Sequence, residues 1–77
     1  MKIIDEISQM IDEELGDAKK YNERALAVHS EYPSIAEVFS KLSAEEMEHA
    51  KCLHDAVAAL IDKQKREKDV PAAPKIQ

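Results

Sequence analysis

The chain has 77 residues, with 11 basic and 16 acidic side chains and a formal net charge of −5 when its histidines are neutral. This length allows one domain at most, and the single cysteine excludes a disulfide scaffold within the chain. No apolar run approaches the roughly 20 residues of a membrane span. The acidic N-terminal segment is unlike a signal peptide, and the negative charge argues against nucleic acid as the main partner. A chain this short rarely folds alone, so a metal or a partner subunit is expected to stabilise it.

The first predicted element is an amphipathic helix over residues 2–30. Its apolar residues recur at gaps of three, four or seven positions, the spacing of one helix face. They are Ile4, Ile7, Ile11, Ala18, Tyr21, Ala25 and Val28. Gly16 lies inside this helix, where glycine costs about 1 kcal/mol relative to alanine. A packing reason for this glycine is therefore expected.

A turn is expected at residues 30–34, because Pro33 disfavours helical geometry at Tyr32 and is tolerated in the first turn of a helix. The second predicted helix covers residues 34–67. Its apolar face is formed by Ile35, Phe39, Leu42, Leu53, Ala56 and Leu60. Residues 1–68 thus form one antiparallel, all-α hairpin, and the prolines in residues 69–77 predict a disordered tail.

Three ionisable residues, Glu14, Glu46 and His49, interrupt these two apolar faces. An unpaired buried carboxylate costs several kcal/mol, so such groups are normally paired, protonated or bound to a metal. Glu14 and Glu46 are equidistant from residue 30, and Glu14 and His49 are nearly so. The three side chains should therefore meet at one level of an antiparallel hairpin, about 24 Å from its apex.

Glu46 and His49 are three residues apart and project from the same helix face onto neighbouring turns. Carboxylate oxygen combined with imidazole nitrogen suits iron, manganese or zinc. One chain supplies few ligands for iron, and two helices cannot close a core. A twofold homodimer would make a four-helix bundle and would double the ligands to four glutamates and two histidines, the composition of di-iron carboxylate proteins.

Two segments of the sequence resemble rubrerythrin-type ferritin-like proteins. Glu14 to Tyr21 is similar to their first-helix Glu-x6-Tyr motif, and Phe39 to Leu53 contains a Glu-x-x-His-Ala-x-x-Leu segment like that of their second helix. This resemblance, over roughly residues 7–60, implies a ferritin-like fold with Glu14, Glu46 and His49 as iron ligands and Tyr21 beside the site.

The chain departs from full-length members of that family because it lacks the second pair of helices. In this respect it is similar to the two-helix encapsulated ferritins, which assemble their di-iron centre across a subunit interface. The sequence contains no Gly-Ser-Leu-type cargo peptide, so an encapsulin shell is not supported as a partner. It also lacks a rubredoxin-like cysteine site, so electron delivery for peroxide reduction has no visible route within this chain.

Two functions remain open at this point. The first is a ferroxidase-like oxidoreductase in which Glu14, Glu46 and His49 hold a di-iron centre and are the catalytic residues, with Fe(II) and dioxygen or peroxide as substrates. Manganese and zinc are alternative metals. The second is a non-catalytic helical oligomerisation module with a structural metal or a buried polar network. The expected location is the cytoplasm, with the protein either free or inside a protein compartment.

Three further residues near these ligands have more than one interpretation. Tyr21 is a candidate for a hydrogen bond to a metal-binding carboxylate, or it is a core aromatic. Asp17 is a candidate extra ligand or hydrogen-bond acceptor, or it is a solvated carboxylate at the edge of the apolar face. Glu45 could compete with Glu46 for the metal, or it is exposed.

Overall fold

The computed structural model describes residues 1–69, which form two long α-helices. Helix α1 runs from Lys2 to Val28, and helix α2 runs from Pro33 to Asp69. The two helices pack along each other as an antiparallel hairpin, as the apolar spacing predicted. Within the described residues, neither helix is long and apolar enough to cross a membrane. The predicted tail lies outside the described residues from Val70 onward, and Asp69, which the sequence assigned to it, is the last residue of α2.

The turn between the helices occupies residues 29–32. The Tyr32 amide donates to the Val28 carbonyl at 2.8 Å, and the Ala36 amide donates to the Tyr32 carbonyl at 2.9 Å. The first bond lies at the C-terminal end of α1, and the second lies at the N-terminal end of α2. Helix α1 ends two residues earlier than the predicted residue 30, because the chain must leave the helix before Pro33 restricts the backbone of Tyr32.

The contact between the helices is built on small side chains. Ala18 and Ala25 of α1 and Ala36 and Ala50 of α2 are the buried apolar residues of the described chain, at 3–5% exposure. Alanine at the contact lets two helices approach closely, because only methyl groups separate the backbones. Ile35, predicted to face the core, is instead 49% exposed. The contact runs through its neighbour Ala36, whose smaller side chain fits between closely spaced helices.

The hairpin does not bury its larger apolar side chains. No side chain in the described residues falls below 2% relative exposure, and several large apolar residues are more than 40% exposed. These are Met1, Ile3, Met10, Leu15, Leu26, Tyr32, Ile35, Val38, Met47 and Ile61. A two-helix unit therefore leaves apolar area on both sides of the hairpin, and dimerisation remains a prediction that this exposure favours.

Gly16 has no packing neighbour in the hairpin. A Cβ atom built at this position would meet no atom within 4 Å beyond its own helix backbone. The expected packing reason for this glycine is therefore not found within a single chain.

Candidate metal centre

The structure brings Glu14, Glu46 and His49 together near the middle of the hairpin. Glu14 projects from α1, and Glu46 and His49 project from successive turns of α2. One potential ligand atom from each of the three residues lies within 4.8 Å of the others. The convergence predicted from the equal distances to the turn is therefore seen, while the roles of the three residues as ligands remain a prediction.

His49 links the two carboxylates. Its Nδ1 atom lies 2.9 Å from Oε1 of Glu46 and 3.5 Å from Oε2 of Glu14. Because a carboxylate only accepts hydrogen bonds, Nδ1 donates its proton to Glu46 in this arrangement. A nitrogen that carries this proton cannot ligate a metal, so metal binding at Nδ1 would require the proton to move to Nε2 in a neutral ring, or to be released from a protonated ring.

The site is half-buried and opens at the edge of the hairpin. The side chains of Glu46 and Glu14 are 19% and 26% exposed, whereas that of His49 is 59% exposed. His49 was expected at a core position. It lies at the edge instead: its side chain is largely exposed, although Nδ1 still reaches Glu14 of α1.

The local environment disfavours negative charge on Glu14. Partial desolvation raises the pKa of Glu14 above its ordinary value, the nearby Glu46 carboxyl raises it further, and His49 partly opposes both effects. A cation between the two carboxylates would relieve this repulsion, and it would favour ionisation of Glu14.

The three residues fit a transition metal by their chemistry. Two carboxylates and one imidazole are hard or borderline donors, which suit iron, manganese and zinc. The partial burial of the two carboxylates and the convergence of the three residues from two helices distinguish this group from the exposed acidic residues elsewhere on the helices. Within the described residues this is the one group of three such side chains that could hold a metal ion.

Ser43 is a residue of this region that the sequence interpretation missed. Its hydroxyl donates to the backbone carbonyl of Ala18 at 2.7 Å, across the contact between the helices. The signal in the sequence is that Ser43 lies seven residues after the buried Ala36 and seven before the buried Ala50. Serine on a helix is usually solvated or bonds within its own helix, so its spacing alone did not identify this contact.

Tyr21, Asp17 and Glu45 lie outside the group of three ligand candidates. The Tyr21 ring stacks on Phe39 with centroids 6.2 Å apart and an angle of 24° between the planes. Asp17 and Glu45 are exposed. The aromatic contact accounts for Tyr21 as a packing residue, and its predicted hydrogen bond to a carboxylate remains untested.

A protein-family model described as Rubrerythrin matches residues 6–76 of the chain. The match covers most of both helices and includes Glu14, Glu46 and His49. Searches of curated proteins and of solved structures returned no match.

Proposed function

The chain belongs to the rubrerythrin family, and from this premise we propose that it binds two iron ions between two copies of itself and oxidises Fe(II) there. The observation that carries the proposal is the convergence of Glu14, Glu46 and His49 within 4.8 Å on two different helices. Family membership supports iron as the metal, and the half-buried carboxylates support a bound cation.

A second copy of the chain is needed for two reasons. Three side chains are few for an iron ion, and the hairpin leaves large apolar residues exposed. Some of these lie on the side of the hairpin that carries the site. Met10 precedes Glu14 by four residues, and Ile35 precedes His49 by two heptads, so each shares a helix face with its ligand candidate. Pairing this side with its twofold copy would cover apolar surface and bring two ligand sets together.

Each residue has a defined task in the proposed site. Glu14 and Glu46 would supply carboxylate oxygens that balance the charge of the metal. His49 would supply a neutral imidazole nitrogen, either Nε2 or, with the proton on Nε2, Nδ1. Bound iron would supply the one-electron redox chemistry, which no side chain of this set can perform.

The proposed reaction balances with Fe(II) as the electron donor. Two Fe(II) ions lose one electron each, and dioxygen takes the two electrons and two protons to give hydrogen peroxide. With peroxide as the oxidant, the same two electrons and two protons give two molecules of water. His49, Glu14 and Glu46 are the side chains of the site that can take up or release protons.

The proposed setting is the cytoplasm, with the protein free or inside a protein compartment. Cys52 is an exposed free thiol, which suits a reducing environment. Iron storage would require an enclosed space that a two-helix chain does not supply. Oxidation of Fe(II), without storage by this chain, is therefore the narrower proposal.

Anaerobic titration followed by exposure to oxygen tests this function. We expect the wild-type protein to bind about two Fe(II) ions per dimer and to oxidise them when oxygen is admitted. Glu46→Ala and His49→Ala should bind and oxidise much less, whereas Glu45→Ala, an exposed neighbour on the same helix, should behave as the wild type. Absence of Fe(II) binding, or unchanged oxidation in both ligand variants, would refute the proposal.

A second candidate function is supported by the hydrogen bond between His49 and Glu46. This bond, at 2.9 Å, lets the polar residues satisfy one another without a metal. Such a network, or a structural metal in its place, would fix the register of a non-catalytic helical oligomer. A chelator should then lower the thermal midpoint if a structural metal is present, and no oxygen-dependent chemistry should follow Fe(II) addition.

A further inference from the structure

The hydrogen bond from Ser43 to Ala18 joins the two helices beside the candidate metal centre. We propose that Ser43 is a positioning residue, which holds Glu46 and His49 at the level of Glu14. This inference rests on the proposed metal function, because positioning matters only if the three residues share a ligand.

The bond and the site occupy neighbouring turns of the same two helices. Ser43 precedes Glu46 by three residues, and Ala18 follows Glu14 by four. Because the helices are antiparallel, both steps lead toward the turn of the hairpin. The hydrogen bond is therefore about one helical turn, roughly 5.4 Å, from the level of the carboxylates.

The buried residues that flank the site level contribute only methyl groups to the contact between the helices. Ala18 and Ala50 are buried on either side of the site level, and methyl groups form a smooth surface that large interlocking side chains would not. A hydrogen bond is directional and weakens steeply with distance and angle. The Ser43 bond thus adds a directional contact that resists sliding and rotation of α2 against α1 at this point, beside the stacked rings of Tyr21 and Phe39.

The Ala18 carbonyl can accept this bond without loss to its own helix. A carbonyl oxygen has two lone pairs, so it can serve the helical bond within α1 and the Ser43 hydroxyl together. The bond is partly buried, so water competes with it poorly. Replacing Ser43 with alanine removes this hydrogen bond and leaves the size of the side chain almost unchanged.

Anaerobic Co(II) binding, followed by visible absorption, tests the proposal on the full chain. Ser43→Ala should bind Co(II) roughly fivefold more weakly than the wild type, the effect of losing one neutral hydrogen bond. Its Co(II) absorption spectrum should also change, because the ligands are less well placed. Ser40→Ala is the matched control, since Ser40 is exposed and lies three residues earlier on the same helix. Ser43→Thr keeps the hydroxyl and should restore affinity to within about twofold.

A stability control separates positioning from a general effect on folding. Ile4→Val removes a methylene from a partly buried residue far from the site, and its unfolding free energy can be compared with that of Ser43→Ala without metal. If Ser43 positions the ligands, Ser43→Ala should lose more Co(II) affinity than Ile4→Val when the two variants lose comparable stability. Wild-type affinity and spectrum in Ser43→Ala, or equal losses in both variants, would overturn the proposal. If the wild type itself binds no Co(II) or Fe(II), the proposed function fails and this inference fails with it.

Discussion

Oε2 of Glu14 lies 3.5 Å from Nδ1 of His49, across the contact between the two helices. The same nitrogen lies 2.9 Å from Oε1 of Glu46. One imidazole thus connects carboxylates from both helices, so the geometry of the site depends on how α1 and α2 are aligned. Changes in charge or alignment at this level should alter stability and metal binding together.

The metal-free protein should respond to pH through Glu14. The pKa of Glu14 is raised above its ordinary value of 4.5 by burial and by Glu46, so the folded chain holds this proton more tightly than the unfolded chain. The ionised carboxylate therefore destabilises the fold above the raised pKa, and this penalty is lost as pH falls toward 4.5. Lys51 lowers the pKa of Asp55, so ionised Asp55 stabilises the fold and this contribution is lost as pH falls. Asp55 is present in every variant compared, so it does not affect the differences between them.

Glu14→Gln should remove this penalty. In the presence of a chelator we expect it to raise the thermal midpoint at pH 7 and to reduce the gain that the wild type shows on acidification to about pH 5. Circular dichroism melts at several pH values measure both effects. Glu13→Gln changes an exposed neighbour and should leave the wild-type pH dependence in place. An identical pH profile for Glu14→Gln and wild type would contradict the assignment.

Gly16→Ala should stabilise the protein. The added methyl group meets nothing within 4 Å in the hairpin, and alanine is favoured over glycine inside a helix by about 0.8–1 kcal/mol. Urea unfolding at a fixed protein concentration measures the change. A loss of stability would instead show that Gly16 is covered in the assembled protein, so dimer formation should be measured in the same samples.

Tyr21→Phe should leave stability nearly unchanged, because phenylalanine keeps the stacked contact with Phe39. Tyr21→Ala should cost about 2–3 kcal/mol, since it removes a large, partly buried ring. Fe(II) affinity then decides the role of the hydroxyl. If Tyr21 only packs against Phe39, as the stacking indicates, Tyr21→Phe should bind Fe(II) as tightly as the wild type. If its hydroxyl bonds to a ligand carboxylate, Tyr21→Phe should bind Fe(II) more weakly.

The side of the hairpin that carries the metal site should form the dimer interface. Ile35→Glu introduces a charge on this side and should shift the protein to monomers, with loss of Fe(II) binding. Leu26→Glu is the matched control, because Leu26 is also exposed but lies about 120° around α1 from Glu14, on the other flank of the buried Ala18 and Ala25. Analytical ultracentrifugation reports the oligomeric state. A monomer in Leu26→Glu together with a dimer in Ile35→Glu would contradict an interface on the side of the hairpin that carries the metal site.

Much of the fold follows from local sequence signals. The three-and-four spacing of apolar residues predicts both helices, and Pro33 places the turn between them. Equal distance from that turn then predicts that Glu14 meets Glu46. These features depend on the regular geometry of an α-helix and on a short connection between the helices. Both can be inferred from the sequence.

The rotation of α2 and the Ser43 bond could not be predicted in the same way. An apolar face is broad enough to accept either Ile35 or Ala36 at the contact, and the close approach of the helices decides between them. That rotation also places His49 at the edge and directs Ser43 toward Ala18. These details depend on the distance between the two helices, which the spacing of apolar residues along the sequence does not specify.

Native mass spectrometry with and without Fe(II), under anaerobic conditions, is the decisive test of a di-iron site shared by two chains, because it reports subunit number and metal content together. We expect a dimer, or a multiple of dimers, that gains about two iron ions per pair of chains, and Glu46→Ala should lose this gain. A monomer that binds iron alone, or a dimer that takes up none, would contradict a shared di-iron site.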